Sequence, residues 1–217
     1  MTRNILSLFL LVLIFSCETA VEQKPSKPNV ILILADDLGF GEVGYQGQKK
    51  IKTPNIDALS KTGMVFTNHY SGAPVCAPAR SVLLTGMHMG HSYIRGNDAM
   101  KERGDVWDYA KASADPNLEG QRNLPVDTET MSKMLQRAGY KTGIVGKWGL
   151  GAPLTEGIPN NLGFDYFYGY NCQRQAHNLY PTHLWENKEK VMLNNELVIP
   201  TTKLDAGSDP NDPASYA

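Results

Sequence analysis

Three patterns of apolar residues divide the chain. Behind Arg3, the unbroken run at 8–15 is too short to span a bilayer and has the length of a signal-peptide core. Residues 29–35 (NVILILA) form a continuous aliphatic stretch rich in β-branched side chains, the pattern of a parallel strand buried on both faces. Two further strands are predicted at 64–70 (MVFTNHY) and 140–145 (YKTGIV). Elsewhere the apolar positions switch to helical spacing. Thr53 and Pro54 open a helix as N-cap and first helical residue, with Ile56 and Leu59 on one face and Gly63 as its stop. Asp127 is placed to cap another helix, whose apolar positions are Met131, Met134, Leu135 and Ala138, with Gly139 at its end. Residues 183–199 read as a strand pair turning near Asn194 and Asn195. Strands alternating with helices predict an α/β fold, with a central mixed, mostly parallel sheet flanked by helices.

Candidate chemistry gathers at three places in this frame. The first is Cys76-Ala77-Pro78-Ala79-Arg80, followed by a small apolar run ending in Gly86. Pro78 suits a first helical turn and Gly86 a C-terminal stop, so Cys76 falls at a helix N-terminus. Free N–H groups there favour an anion and lower a thiol pKa, and Arg80 lies about one turn in. The second is Asp36-Asp37, directly after the first predicted strand. Adjacent carboxylates repel unless a cation lies between them, and hard divalent ions take oxygen ligands. The third is Lys147, at the end of the strand predicted at 140–145, on the sheet edge expected for Asp36 and Asp37. His91, Arg95 and Asn97 sit in an exposed-looking loop soon after the Cys76 helix, and His177 follows an aromatic-rich segment.

The eleven residues CAPARSVLLTG at 76–86 closely resemble the signature of the type I sulfatases, with Ala79 where the commonest version has serine. ADDLG at 35–39 resembles that family's N-terminal metal motif, and TPNIDALS at 53–60 resembles another of its landmarks. GKWGLG at 146–151 resembles the family's GKWHLG, with Gly149 in place of histidine, and GFDYFYG at 163–169 matches its GFD-x-F-x-G segment. The resemblance implies the N-terminal part of an alkaline-phosphatase-like sulfatase domain over 29–217. It implies a formylglycine made from Cys76 by a formylglycine-generating or anaerobic maturation enzyme. It also implies a divalent metal, Ca²⁺ with Mg²⁺ also compatible, held by Asp36, Asp37 and the group at Cys76. In such a site the hydrated aldehyde attacks the sulfur of a sulfate ester. Lys147 bridges sulfate and formylglycine, and Arg80 holds the formylglycine and the metal-ligand carboxylates in place. His177 is a substrate-binding candidate, and His177 or His183 is the candidate to replace the histidine missing at Gly149.

The function so implied is removal of sulfate from a sulfated carbohydrate or aryl sulfate. A phosphodiesterase or phosphonate hydrolase of the same superfamily is one alternative, and a catalytically incomplete glycan-binding remnant is another. Full-length relatives draw further metal and sulfate ligands from a later half. The 217 residues are therefore expected to form an incomplete site with weak metal affinity and little turnover.

Composition adds the setting. A net charge of -1 and a hydrophobic fraction of 41% describe an ordinary globular domain and give no case for nucleic-acid binding. Ile14-Phe15-Ser16-Cys17 resembles a bacterial lipobox, making 1–17 a signal peptide whose Cys17 is lipidated, and 18–28 a polar, proline-containing tether. An exported lipoprotein, periplasmic or held on the outer membrane by its lipid anchor, is the expectation. With Cys17 acylated and Cys76 converted, only Cys172 remains as a thiol, so no disulfide framework is expected.

Overall fold

The computed structural model describes residues 27–97, 108–177 and 179–197. The leader with Cys17, nearly all of the tether, and the stretch after 197 lie outside them. No helix among the described residues is long and apolar enough to cross a membrane. The chain divides into two compact units between Thr67 and Asn68.

In the first unit the helix expected after Thr53 is present as α1, Pro54–Thr62, closed by the Gly63 N–H on the Leu59 carbonyl. Thr53 does not cap it through its side chain. Its hydroxyl accepts from the Gly44 N–H at 2.8 Å and donates to Asp57 at 3.0 Å. Asp57 also accepts from the Tyr45 N–H at 2.8 Å. These bonds tie α1 to a single 3₁₀ turn, Gly44–Gln46. A Cβ at Gly44 would stand 2.2 Å from Asp57 Oδ2, so the Thr-Pro-Asn-Ile-Asp sequence serves this close docking. The expected apolar face is not buried: Ile56 and Leu59 are exposed.

Two predicted strands of this region are corrected by the structure. Residues 29–35 form no strand, and Val30 through Leu34 are all exposed, Ile33 at 86%. Residues 64–70 likewise form none, with a turn at Thr67 and Asn68 and with Met64 and Phe66 exposed. A strand persists as a member of a hydrogen-bonded ladder. No described strand pairs with either run, whatever its β propensity.

The second unit contains α2 (Cys76–Thr85), α3 (Tyr109–Ala114) and α4 (Met131–Arg137). Strands β1 (Gly143–Lys147) and β2 (Tyr166–Tyr170) follow, then the short α5 (Gln173–Ala176) and strands β3 (His183–Glu186) and β4 (Glu189–Met192). The four strands form one mixed sheet in sequence order. β1 and β2 are parallel, and β2–β3 and β3–β4 are antiparallel. The mixed α/β architecture is as expected, and one of its three described pairings is parallel. The core beneath it is built from Ala77 and Leu84 of α2 with Trp148, Leu150, Leu162, Phe167 and Trp185. Trp148 meets Phe164 edge to face at 6.1 Å.

Two boundaries differ from expectation for identifiable reasons. Helix α4 is capped by Thr130, not Asp127. The Thr130 hydroxyl accepts from the Lys133 N–H and also donates to the buried Leu162 carbonyl at 2.8 Å, a partner thirty-two residues away. The hairpin turns at Asn187 and Lys188, between β3 and β4, rather than near Asn194 and Asn195. Asn187 takes φ 54°, the left-handed conformation that tight hairpins require and asparagine tolerates.

The parallel pair has a narrow point. Gly146 and Gly169 face each other across β1 and β2, Gly169 has φ 152°, and its Cβ would lie 2.0 Å from the Gly146 carbonyl oxygen. Backbone, unlike a flexible side chain, cannot swing aside. Gly169→Ala is expected to cost roughly 2–3 kcal/mol, read as a lowered urea midpoint with an unchanged m-value.

Candidate active site

The site is built on the N-terminus of α2. The helix begins at Cys76, as the position of Pro78 predicts, and ends at Gly86 with φ 68°. Val75, the residue before it, offers no capping side chain. The cap comes from elsewhere: Asn97 Oδ1 accepts from the Ala77 N–H at 3.0 Å. The loop carrying Asn97 is held against the helix by the buried Ser81–Ser92 hydroxyl pair, 3.0 Å apart, and by Ser92 donating to the Ile94 carbonyl. Arg95 donates to the Ser92 and Gly90 carbonyls of the same loop. Asn97, which the sequence places in an exposed-looking loop, is in the structure the cap. Asn97→Ala is expected to lower stability by about 1 kcal/mol, measured by urea denaturation, with Asn97→Asp restoring most of the loss.

Lys147 is the last residue of β1, and its Nζ lies 3.5 Å from Cys76 Sγ. Arg80, one turn into α2, donates from Nη1 to the Lys147 backbone carbonyl at 2.6 Å. One basic side chain therefore reaches the sulfur, and the other clamps the strand that carries the first. Cys76 is half-buried, whereas Cys172 is 1% exposed. Burial pushes the Cys172 thiol above its ordinary range, and the nearby Glu119 pushes the same way. Cys172 is thus an inert packing thiol.

Sequence reasoning passed over Glu119, within an irregular stretch. Its buried carboxylate accepts from Trp185 Nε1 at 2.9 and 3.0 Å and lies 3.0 Å from His183 Nε2. His183 is therefore committed to the core. Two residues on, Gln121 Oε1 accepts from the Gln173 N–H at 3.0 Å. His177 is exposed at the end of α5.

These residues can be set against known proteins. Residues 28–206 match the family described as Sulfatase. The chain belongs to the sulfatase family. It is 39% identical to human arylsulfatase D over 168 residues, 75% of this chain and 26% of that protein. The sulfatase chain thus spans about a quarter of the length of this curated relative. The structure of Ps i-CgsB in complex with k-i-k-neocarrahexaose superposes with TM-score 0.59 at 32% identity, over 77% of this chain and 38% of that one. The structure of BT4656 in complex with its substrate D-glucosamine-2-N,6-O-disulfate gives TM-score 0.53 at 26% identity, over 77% and 28%.

Sulfatases generally use a metal ion and a formylglycine. The residues present fit both groups. Cys76 is at a capped helix N-terminus, half-buried, with a cation beside its sulfur. Asp36 and Asp37 belong to the first unit. They are exposed neighbours, with Asp37 at φ 53°, and supply only hard carboxylate oxygens, the donors a calcium or magnesium ion takes.

Proposed function

We propose that the protein is a sulfuric ester hydrolase that removes sulfate from a sulfated carbohydrate, using a formylglycine made from Cys76 and a divalent metal. The observation that carries this reading is the Lys147 ammonium 3.5 Å from Cys76 Sγ, at the start of a helix whose sequence has the family's form. The two groups, when present, supply an oxygen nucleophile and a Lewis acid that neutralises charge on the sulfuryl oxygens.

The chain's own residues do the positioning. Lys147 holds a fixed positive charge where the sulfuryl group and the residue 76 side chain meet, and charge held in advance at such a point stabilises the transition state. The first N–H groups of α2 add partial positive charge to the same region. Arg80, through its bond to the Lys147 carbonyl, keeps β1 and α2 in register so that the ammonium reaches residue 76. Asp36 and Asp37 would hold the metal, for which calcium is our choice. His177 is assigned to substrate binding.

A sulfated sugar as substrate is supported by the sugars bound to the two structural relatives. A lipid on Cys17 and a place in the periplasm or on the outer membrane complete the proposal, with a maturation enzyme as the partner that converts Cys76.

The test uses protein purified from its native host. The tryptic peptide spanning Cys76 should carry the aldehyde, and sulfate release from sulfated oligosaccharides should stop on chelation and return with Ca²⁺. An unmodified thiol, or phosphate diesters hydrolysed faster than sulfate esters, would overturn the reading.

A further inference from the structure

In the first unit, Lys49, Lys50 and Lys52 lie in the short loop between the 3₁₀ turn Gly44–Gln46 and α1. All three are exposed, and none forms an ion pair with another described residue. The carboxylates of this turn are committed elsewhere. Glu42 Oε2 accepts from the Gly39 N–H at 2.7 Å. Asp57 accepts from the Tyr45 N–H and the Thr53 hydroxyl and stands against Gly44. The three ammonium groups are left without an anion.

The backbone beneath them is held in place. Gln48 donates its N–H to the Val43 carbonyl at 3.3 Å, and its Oε1 accepts from both the Lys49 and Lys50 N–H groups at 2.9 Å. The charges are therefore presented from a tied loop. Tyr45 and Ile51, 43% and 61% exposed, add an aromatic ring and an aliphatic side chain to the same stretch. Like charges this close repel one another, and a chain of negative groups laid across them relieves that repulsion.

We infer that the loop at 49–52 is a docking surface for a polymeric sulfated glycan, made of residues other than those that act on the sulfate ester. The choice of partner rests on the sulfatase reading above. Each sulfate half-ester along such a polymer carries one negative charge, which a lysine meets as a point charge on a flexible stem. The exposed Tyr45 ring suits the apolar face of a sugar. With a net charge of -1, the chain has no general field that would draw it to DNA. Ile51 alone is too little apolar surface to enter a bilayer. A small local patch serves a partner that the protein engages for another reason, and the sulfated substrate is such a partner.

The test measures binding of the host-purified protein to dextran sulfate and to uncharged dextran. It compares wild type with the triple variant Lys49→Gln, Lys50→Gln, Lys52→Gln. A control triple, Lys111→Gln, Lys141→Gln, Lys188→Gln, makes the same change in net charge at exposed lysines elsewhere. Wild type should bind dextran sulfate and not dextran. The loop variant should lose about tenfold or more in affinity at low salt, with a slope of log K against log salt shallower by about two. The control should stay within about twofold of wild type, because its lysines lie outside the loop. Tm and kcat/KM on 4-nitrophenyl sulfate should be unchanged in the loop variant. Equal losses in both triples, or none in the loop variant, overturn the surface. Loop-dependent binding that is tighter to duplex DNA or to phosphatidylglycerol vesicles overturns its assignment to a glycan. Turnover of sulfate esters without polymer binding overturns the surface and leaves the hydrolase reading. Loop-dependent polymer binding without aldehyde or turnover does the reverse.

Discussion

Cys76→Ala in protein matured by its native host will abolish sulfate release, lowering kcat by about four orders of magnitude or more, as removal of a covalent nucleophile does elsewhere. The fold will hold. Cys76 is the first residue of a ten-residue helix and only half-buried, and alanine is the best helix former. Its stability by urea denaturation should stay within about 0.5 kcal/mol of wild type. The helix cap is untouched, because Asn97 bonds to the Ala77 N–H. The expected pattern is thus a full loss of turnover on an intact scaffold. Residual activity above one part in a hundred, on the sulfated sugar or on 4-nitrophenyl sulfate, would show that residue 76 is not the nucleophile. Lys147→Met is the graded companion. It removes one preorganised charge, and a loss of about 10²–10³ in kcat with intact aldehyde would place the ammonium at the transition state.

What the sequence made legible was local. Pro78 and Gly86 bracket a helix by their own backbone chemistry, and α2 starts and stops as they require. Lys147 was expected at a strand end and is the last residue of β1, within reach of Cys76. The features that escaped are those decided by distant partners. Asp127 and Thr130 are both good caps, and the choice falls to Thr130 because its hydroxyl also satisfies the Leu162 carbonyl. The run at 29–35 has every local mark of a buried strand, yet a ladder needs a second backbone, and no composition reveals whether one is adjacent. Arg80 lies about one turn into the helix, and its Nη1 also bonds to a main-chain carbonyl sixty-seven residues away. Side-chain patterns contain no trace of such a partner. Glu119 was hidden for the same reason: it lies among turn formers, where a glutamate reads as solvated, and is in fact 1% exposed.

Glu119 is where the scaffold should be most sensitive to a single change. Its two oxygens serve the indole N–H of Trp185 and the imidazole of His183, both on β3 and both buried. Its chain neighbours pack just as tightly: a Cβ on Gly120 would stand 2.4 Å from that of Ala152, and Gln121 bonds to the N–H of Gln173. Glu119→Ala removes the acceptor for both rings, leaves a void against Trp185 and frees the segment that holds α5. Breaking a buried, hydrogen-bonded acid–histidine pair from one side costs about 3–5 kcal/mol, a large share of the roughly 5–15 kcal/mol that keeps a domain folded. The variant should therefore be partly unfolded at 37 °C, with a urea midpoint far below wild type and the Trp185 emission shifted to the red. Glu119→Gln separates charge from connectivity. An amide oxygen still accepts from the Trp185 N–H, and its NH₂ can donate to His183 Nε2 when Nδ1 carries the proton, so the loss should be less than half as large. If both variants lose the same stability, the pair is held by the carboxylate charge. If neither moves the midpoint, the 119–121 segment is not what anchors β3 and α5.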